Sequence, residues 1–126
     1  MRAFLLSVVM TAGLAAAAGP AHAQSNRPPY EGELLRLAEV LGAVHYLRGL
    51  CETDEGQTWR SMLQELLDAE NPSQERRASI IERFNRGYRS FEQSYHVCNE
   101  TAVRVVERYM EEGADLALGI ATRYGE

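Results

Sequence analysis

The sequence predicts an all-α fold, an antiparallel up-down four-helix bundle stapled by one disulfide. Apolar residues recur at spacings of three and four along four segments, and no window shows convincing alternation with a period of two. Only a few residues join these segments, which is typical of neighbouring antiparallel helices. Cys51 and Cys98 fall at the end of the first segment and at the junction of the third and fourth. An up-down bundle places both positions at the same end.

The bundle domain is predicted to span residues 31–126, after a short polar lead-in at residues 24–30. We expect its first helix over about Glu31 to Leu50, with Pro28 and Pro29 suited to the approach to a helix start. One face of this helix carries Leu34, Leu37, Leu41 and Val44. That face is flanked by Ala38, Val40 and Leu47.

A polar loop separates the first helix from the second, which we expect over about Gln57 to Ala69. Asn71 and Pro72 end it, because proline cannot continue a helix. Its predicted buried stripe consists of Trp59, Met62, Leu63, Leu66 and Leu67.

The third and fourth helices each begin at a favourable N-cap. Ser73 favours a third helix that starts at Pro72 or Ser73 and ends at Tyr95, and Asn99 favours a fourth over about Glu100 to Tyr124. The third has the spacing of a bundle seam at Ile81, Phe84, Tyr88, Phe91, Tyr95 and Cys98. The inward positions of the fourth are Val103, Val106, Tyr109, Met110, Gly113, Leu116, Ala117 and Ile120. Gly113 indicates close packing against another helix.

The first 23 residues have the layout of a secretory signal peptide. Met1 and Arg2 precede an apolar run over residues 3–18, and an Ala-x-Ala cleavage pattern ends at Ala23. A run of about 16 apolar residues is shorter than the ~20 needed to span a bilayer, so a membrane anchor is the less favoured alternative. We therefore expect cleavage near Ala23, export, and no stable insertion in the membrane after cleavage.

Export bears on the two cysteines, which most simply pair with each other in an oxidising compartment. The pairing would close a loop of about 48 residues, worth roughly 4 kcal/mol in the chain-entropy account. The cysteines lack the Cys-x-x-Cys spacing of a redox pair and the Cys-His dipeptide of a haem site. Oxidation would also remove both thiols from any metal site with His45 or His96. We predict no metal and no cofactor.

Charge and motifs narrow the function classes. Without Arg2 the chain has 12 basic against 18 acidic residues, a net charge of −6 compared with −5 for the full sequence. This balance disfavours nucleic-acid binding. The sequence has no His-Glu-x-x-His, no Gly-x-Ser-x-Gly and no phosphate-binding glycine loop. We therefore do not expect an enzyme.

Six residues, besides the cysteines, stand out as candidates for recognition. His45 and Arg48 project into the apolar arc of the first helix. Arg48 is interpreted either as a structural ion pair in the last turn or as part of a small anion pocket with Trp59 and a tyrosine hydroxyl of the third helix. On the third helix the candidates are Arg86, Tyr88 and Arg89. Arg, Tyr and Trp dominate binding hot spots, although an ordinary solvated surface is the alternative for the two arginines.

Several of these runs resemble a known family. They are LLRLAEVLG at residues 34–42, HYLR at 45–48, FNRGYRSF at 84–91, and Tyr95-x-x-Cys98. The chain resembles the small, signal-peptide-bearing proteins of alphaproteobacteria that are classed as a domain of unknown function, over about residues 31–117. The resemblance implies a periplasmic setting and brings no activity, substrate or catalytic residue.

The sequence therefore predicts a non-enzymatic periplasmic interaction or scaffold module of the bacterial envelope, with cell-wall growth or division as the process to consider. Its expected partner is another envelope protein or a second copy of the chain. The alternative is a small-ligand or metal-binding periplasmic protein that uses the end of the bundle with Arg48, Trp59 and His45.

Overall fold

The computed structural model describes residues 27–53 and 55–125, and this part of the chain is all-helical with no strand. Its helices are α1 (Glu31–Leu50), α2 (Thr58–Glu70), α3 (Gln74–Glu92) and α4 (Glu100–Tyr124). The predicted all-α class with four helices is confirmed. The predicted signal peptide at residues 1–23 and the first three residues of the lead-in at 24–30 lie outside the described residues.

The predicted helix ends are set by local chemistry. The Ser73 hydroxyl accepts a hydrogen bond from the Arg76 backbone N–H, and the Asn99 side chain accepts one from Ala102. Asn71 ends α2 in the left-handed conformation, with φ of 42°. The expected end of the third helix at Tyr95 is wrong, because α3 ends at Glu92 and the chain then turns toward Cys98.

α1 is the central helix, and the close backbone contacts between helices almost all involve it. Its buried residues are spread over most of the circumference of the helix rather than along one stripe. They are Glu31, Leu34, Leu37, Ala38, Val40, Leu41, Gly42, Ala43, Val44 and Leu47. The three other helices pack around α1 and contact one another only sparsely.

The backbones of α1 and α3 approach very closely at two glycines. A Cβ atom on Gly42 would overlap the carbonyl of Phe84, and a Cβ on Gly87 would overlap the carbonyl of Glu39. Only glycine allows this approach. Gly113 plays a milder form of the same role on α4, where an added Cβ would lie 3.2 Å from Val40 Cγ1. The packing reason expected for Gly113 agrees with this contact.

The apolar core has two parts that share α1. One lies between α1, α2 and α3, and its buried residues are Leu34, Leu37, Ala38, Leu41, Leu63, Leu67, Ile80 and Phe84. The other lies between α1 and α4, and its buried residues are Val40, Val44, Leu47, Ala102, Val105 and Val106.

Several predicted core positions need correction, among them the inward position Ala117 and the seam position Cys98, which are both exposed. Met62 is 42% exposed and Val103 is 40% exposed, although both were expected to face inward. On α3 the fully buried isoleucine is Ile80, whereas the expected Ile81 is only partly buried. α4 packs mainly on α1, and α2 buries only Leu63 and Leu67, against α1 and α3. Each of these two helices therefore buries a narrower stripe than its apolar periodicity predicts.

Covalent and ionic links tie the two ends of the fold. Cys51 and Cys98 form the expected disulfide, with 5.0 Å between their Cα atoms. At the other end Arg76 is buried and bonds both Glu31, at 2.7 Å, and Glu70, at 3.2 Å. None of the four helices combines the length and the apolar character needed to cross a bilayer.

The glycine contact gives a stability prediction. Gly87→Ala should destabilise the protein by at least about 2 kcal/mol, because the methyl group would force apart two backbones that have no soft side chain between them. Urea unfolding of the oxidised protein measures this. The control is Gly49→Ala, a helical position with no neighbouring atom within 4 Å of the added Cβ. The control should be neutral or stabilising by up to about 1 kcal/mol. Equal effects of the two substitutions would contradict the proposed contact.

Candidate functional site

An apolar cleft of about 390 Å³ lies between α2 and α4, with α1 as its floor. The floor residues are Leu37, Val40, Leu41 and Val44. The wall on α2 consists of Trp59, Met62 and Leu66. The wall on α4 consists of Tyr109, Met110, Gly113, Ala114 and Ala117. We call this site the α2–α4 cleft.

The helix contacts explain why the cleft exists. α3 packs on the side of α1 that carries Gly42 and Ala43, and the floor of the cleft lies roughly opposite at 100° per residue. α2 and α4 flank this opposite side without packing closely on each other. Small residues on the α4 wall, Ala114 and Ala117, leave space that larger side chains would fill. The cleft is therefore the gap left by two helices that share one support.

The lining of the cleft suits binding of apolar groups. Tyr109 is its one ionisable lining residue, and the other lining side chains are aliphatic, methionine, or Trp59. Tyr109 is itself held in place, because its ring packs edge-on against Phe91 and lies under the Arg36 guanidinium, which bonds Glu112. Such a surface removes apolar groups from water and orients few polar ones.

One end of the cleft is fixed by a polar cluster centred on Glu55. Its carboxylate accepts hydrogen bonds from the Arg48 guanidinium and, at 2.6 Å, from the Trp59 indole N–H. These bonds, the Arg48 bond first, lower the pKa of Glu55 to about 2. Arg48 therefore forms an ion pair, as one of its two interpretations predicts. Its partner, Glu55, lies in the loop before α2. The anion-pocket hypothesis needs the same guanidinium, which Glu55 already engages.

His45 and Tyr88 lie elsewhere, on the side of α1 that faces α3. The His45 ring packs against the rings of Phe84 and Tyr88, with centroid distances of 5.9 and 5.8 Å. Its Nδ1 atom is buried with no hydrogen-bond partner among the described residues. Burial, and to a smaller extent the charge of Arg60, lower the pKa of His45. The fold therefore favours the neutral form of this histidine, and His45 does not share a site with Arg48.

The structure brings together only some of the predicted site residues. Arg48 and Trp59 meet at Glu55, and Arg86 and Arg89 lie exposed on α3, where Arg89 bonds Glu82 at 2.9 Å. Of the six candidates only Trp59 lines the α2–α4 cleft. Sequence reasoning missed Met62 and Met110 as cleft residues because it assigned both to the buried core. The described residues contain no group of three or more side chains placed to hold a metal ion.

Residues 29–124 match a family described as "Protein of unknown function (DUF2385)". The chain belongs to this family. The matched region contains all four helices, both cysteines and every residue of the cleft. Neither a curated protein nor a solved structure matches the chain.

The Glu55 cluster gives a pH prediction. Glu55 has a pKa of about 2 in the fold against an ordinary value of 4.5, so its stabilising effect is complete above about pH 4.5 and disappears as the pH falls toward 2. Glu55→Gln should cost about 1–2 kcal/mol of unfolding free energy at pH 7, since the pair is partly exposed. Denaturant unfolding of both proteins from pH 7 to pH 2 measures the difference. A difference that stays constant down to pH 2 would contradict the assignment.

Proposed function

We propose that this protein is a non-enzymatic interaction module of the bacterial envelope, and that the α2–α4 cleft is its binding site. The observation that carries the proposal is the composition of the cleft, in which Trp59, Met62 and Met110 surround an aliphatic floor. Tryptophan is enriched in binding hot spots, and methionine adapts its shape to different apolar partners. Such a cleft accepts the apolar side chains of a partner protein.

The frame of the cleft supports this proposal because it is fixed before a partner arrives. α2 is held at its start by Glu55, which bonds Arg48 and Trp59, and at its end by Glu70, which bonds Arg76. A preformed site costs less conformational entropy on binding than one that must first be ordered. Met62 on the rim is half exposed and keeps the freedom to adapt.

The proposed setting is the periplasm of an alphaproteobacterium. The signal-peptide pattern over residues 1–23 and the disulfide between Cys51 and Cys98 both favour an oxidising compartment outside the cytoplasm. An envelope protein is then the nearest class of partner, and cell-wall growth or division is the proposed process.

The proposed order of the helices is up, down, up and down. Three links support it. Arg76 near the start of α3 bonds Glu31 at the start of α1, and also Glu70 at the end of α2. Arg123 near the end of α4 bonds Glu33 near the start of α1. This order leaves α2 and α4 running the same way along the two sides of the cleft.

A second candidate function is the binding of a small apolar molecule. The cleft volume of about 390 Å³ lies within the range of small-molecule sites, roughly 300–1,000 Å³. This candidate differs from the ligand site predicted around Arg48, Trp59 and His45. Of those three residues only Trp59 lines the cleft.

Cross-linking in cells tests the interaction function. A photoreactive residue in place of Met62, on the rim of the cleft, should give one defined protein adduct. The adduct should disappear when Ala114→Arg places a charge in the cleft wall, and should persist with Ala78→Arg, an exposed alanine on α3. Both arginines replace exposed helical alanines, so circular dichroism should show the same folded state. A second probe, a photoreactive residue in place of Arg86, tests the exposed side of α3. If only this probe gave an adduct, or if Ala114→Arg left the adduct at position 62 intact, the cleft would not be the binding site.

Export is tested on the protein recovered from cell fractions without reductant. The periplasmic fraction should contain a chain that starts near Gln24 and has no titratable thiol. Replacing both cysteines with serine should destabilise this form by about 2–5 kcal/mol, since the link constrains the unfolded chain. An intact chain in the cytosol, or two free thiols per molecule, would refute the proposed compartment.

A further inference from the structure

We infer that the occupant of the α2–α4 cleft is a cationic amphipathic helix of a partner protein, with one apolar stripe flanked by lysine or arginine. The inference rests on the proposed function and adds the chemistry of the partner. The juxtaposition that carries it is an elongated apolar strip bordered by acidic residues on both sides.

The two helices that border the cleft are both acidic. α2 carries one arginine against three acidic residues, and α4 carries three arginines against five. Glu65 is exposed and follows Met62 of the cleft wall by three residues, which puts both on one side of α2. Glu107 is exposed and precedes Met110 by three residues on α4. Carboxylates thus lie along both edges of the cleft.

The arginines of these helices lie outside the lining of the cleft, although Arg104 and Arg108 share a depression on α4 with Glu107 and Glu111. Arg60 lines a groove on the α3 side of α2, and Arg104 bonds Glu100 one turn away. Arg108 and Arg123 border a depression that also contains Glu33 of α1. An approaching helix with basic flanks therefore meets complementary charge, whereas one with acidic flanks meets like charge.

The shape of the apolar surface favours a helix over a compact ligand. On α4 the surface continues beyond the cleft in both directions, to Val103, which is 40% exposed, and to Leu118, which is 68% exposed. Fifteen helical steps separate these residues, a length of about 22 Å. Ala114 and Ala117 on the same side are small, which allows the backbone of another helix to approach closely. A helix of about four turns would cover this strip with residues spaced three and four apart.

A second copy of the chain fits this description poorly. The basic candidates of the chain, Arg86 and Arg89, lie on the exposed side of α3. The large exposed apolar residues in the described part of the chain are Met62, Val97, Val103, Leu118 and Tyr124, and α3 contains none of them. The basic face therefore lacks the apolar stripe that the cleft requires.

Two synthetic peptides test the inference on the oxidised mature protein. Both are 18-residue amphipathic helices with the same leucine stripe, one flanked by lysines and the other by glutamates at the same positions. The mature chain has one tryptophan, Trp59, and two methionines, Met62 and Met110, because Met1 and Met10 lie in the signal segment. Indole fluorescence and the two methionine methyl signals in NMR therefore report on the cleft.

The expected result is binding of the lysine peptide about tenfold or more tighter than the glutamate peptide, with displacement of both methyl signals. Salt should weaken this preference, since the flanking charges are exposed. Glu65→Gln with Glu107→Gln should weaken the lysine peptide about two- to tenfold. The matched control, Glu75→Gln with Glu92→Gln on α3, removes the same formal charge from exposed positions and should leave affinity unchanged.

The outcomes separate this inference from the proposed function. Equal binding of the two peptides, both blocked by Ala114→Arg, would overturn the cationic partner and keep the cleft as an interaction site. An equal loss in the two double variants would overturn the role of Glu65 and Glu107. Failure of both peptides to displace the methyl signals, or concentration-dependent dimerisation that displaces them without peptide, would overturn the partner helix. The proposed function itself fails if cross-linking at position 62 in cells gives no defined protein adduct.

Discussion

The arrangement of this fold depends on the close contact between the backbones of α1 and α3 at Gly42 and Gly87. Because the two backbones touch, α3 covers one side of the central helix closely. The opposite side of α1 is also apolar and must be removed from water by α2 and α4. These two helices pack on α1 and only sparsely on each other, so a cleft lies between them. The glycine contact and the cleft are thus two consequences of one packing arrangement.

Ion pairs position α2 more than they stabilise it. Exposed and half-buried ion pairs add little net free energy, but removing one partner of a buried pair is costly. Arg76 is buried between Glu31 and Glu70, and Glu55 joins Arg48 to the indole of Trp59. Each cluster ties one end of α2 to the rest of the fold. The width of the α2–α4 cleft is therefore set by polar contacts at its two ends, whereas its interior is apolar.

The sequence was sufficient for features that depend on neighbouring residues and insufficient for those that depend on distant ones. Helical periodicity and the N-caps Ser73 and Asn99 located the four helices, since caps and spacing are local properties. The exposure of Met62 and Val103 was not predictable in this way, because periodicity identifies an apolar stripe but not how much of it a neighbour covers. The partner of Arg48 was missed for a similar reason, since Glu55 is polar and lies in a loop.

The candidate site also depends on residues that are distant in the chain, and for this reason no sequence motif revealed it. Many catalytic and metal centres have particular side chains at characteristic spacings, and such patterns are visible in a sequence. The α2–α4 cleft instead arises from small residues on one wall and from the lack of close packing between two helices. Ordinary core-type residues such as Leu66 and Met110 become lining residues of a cleft only because of where the helices lie. The selectivity of such a site then depends on its borders, which carry Glu65 and Glu107. The charge of these exposed carboxylates reaches a partner over about one Debye length, about 8 Å at physiological salt. In the proposed complex, apolar contact in the cleft would supply the affinity, and the acidic borders would select which amphipathic helix is accepted.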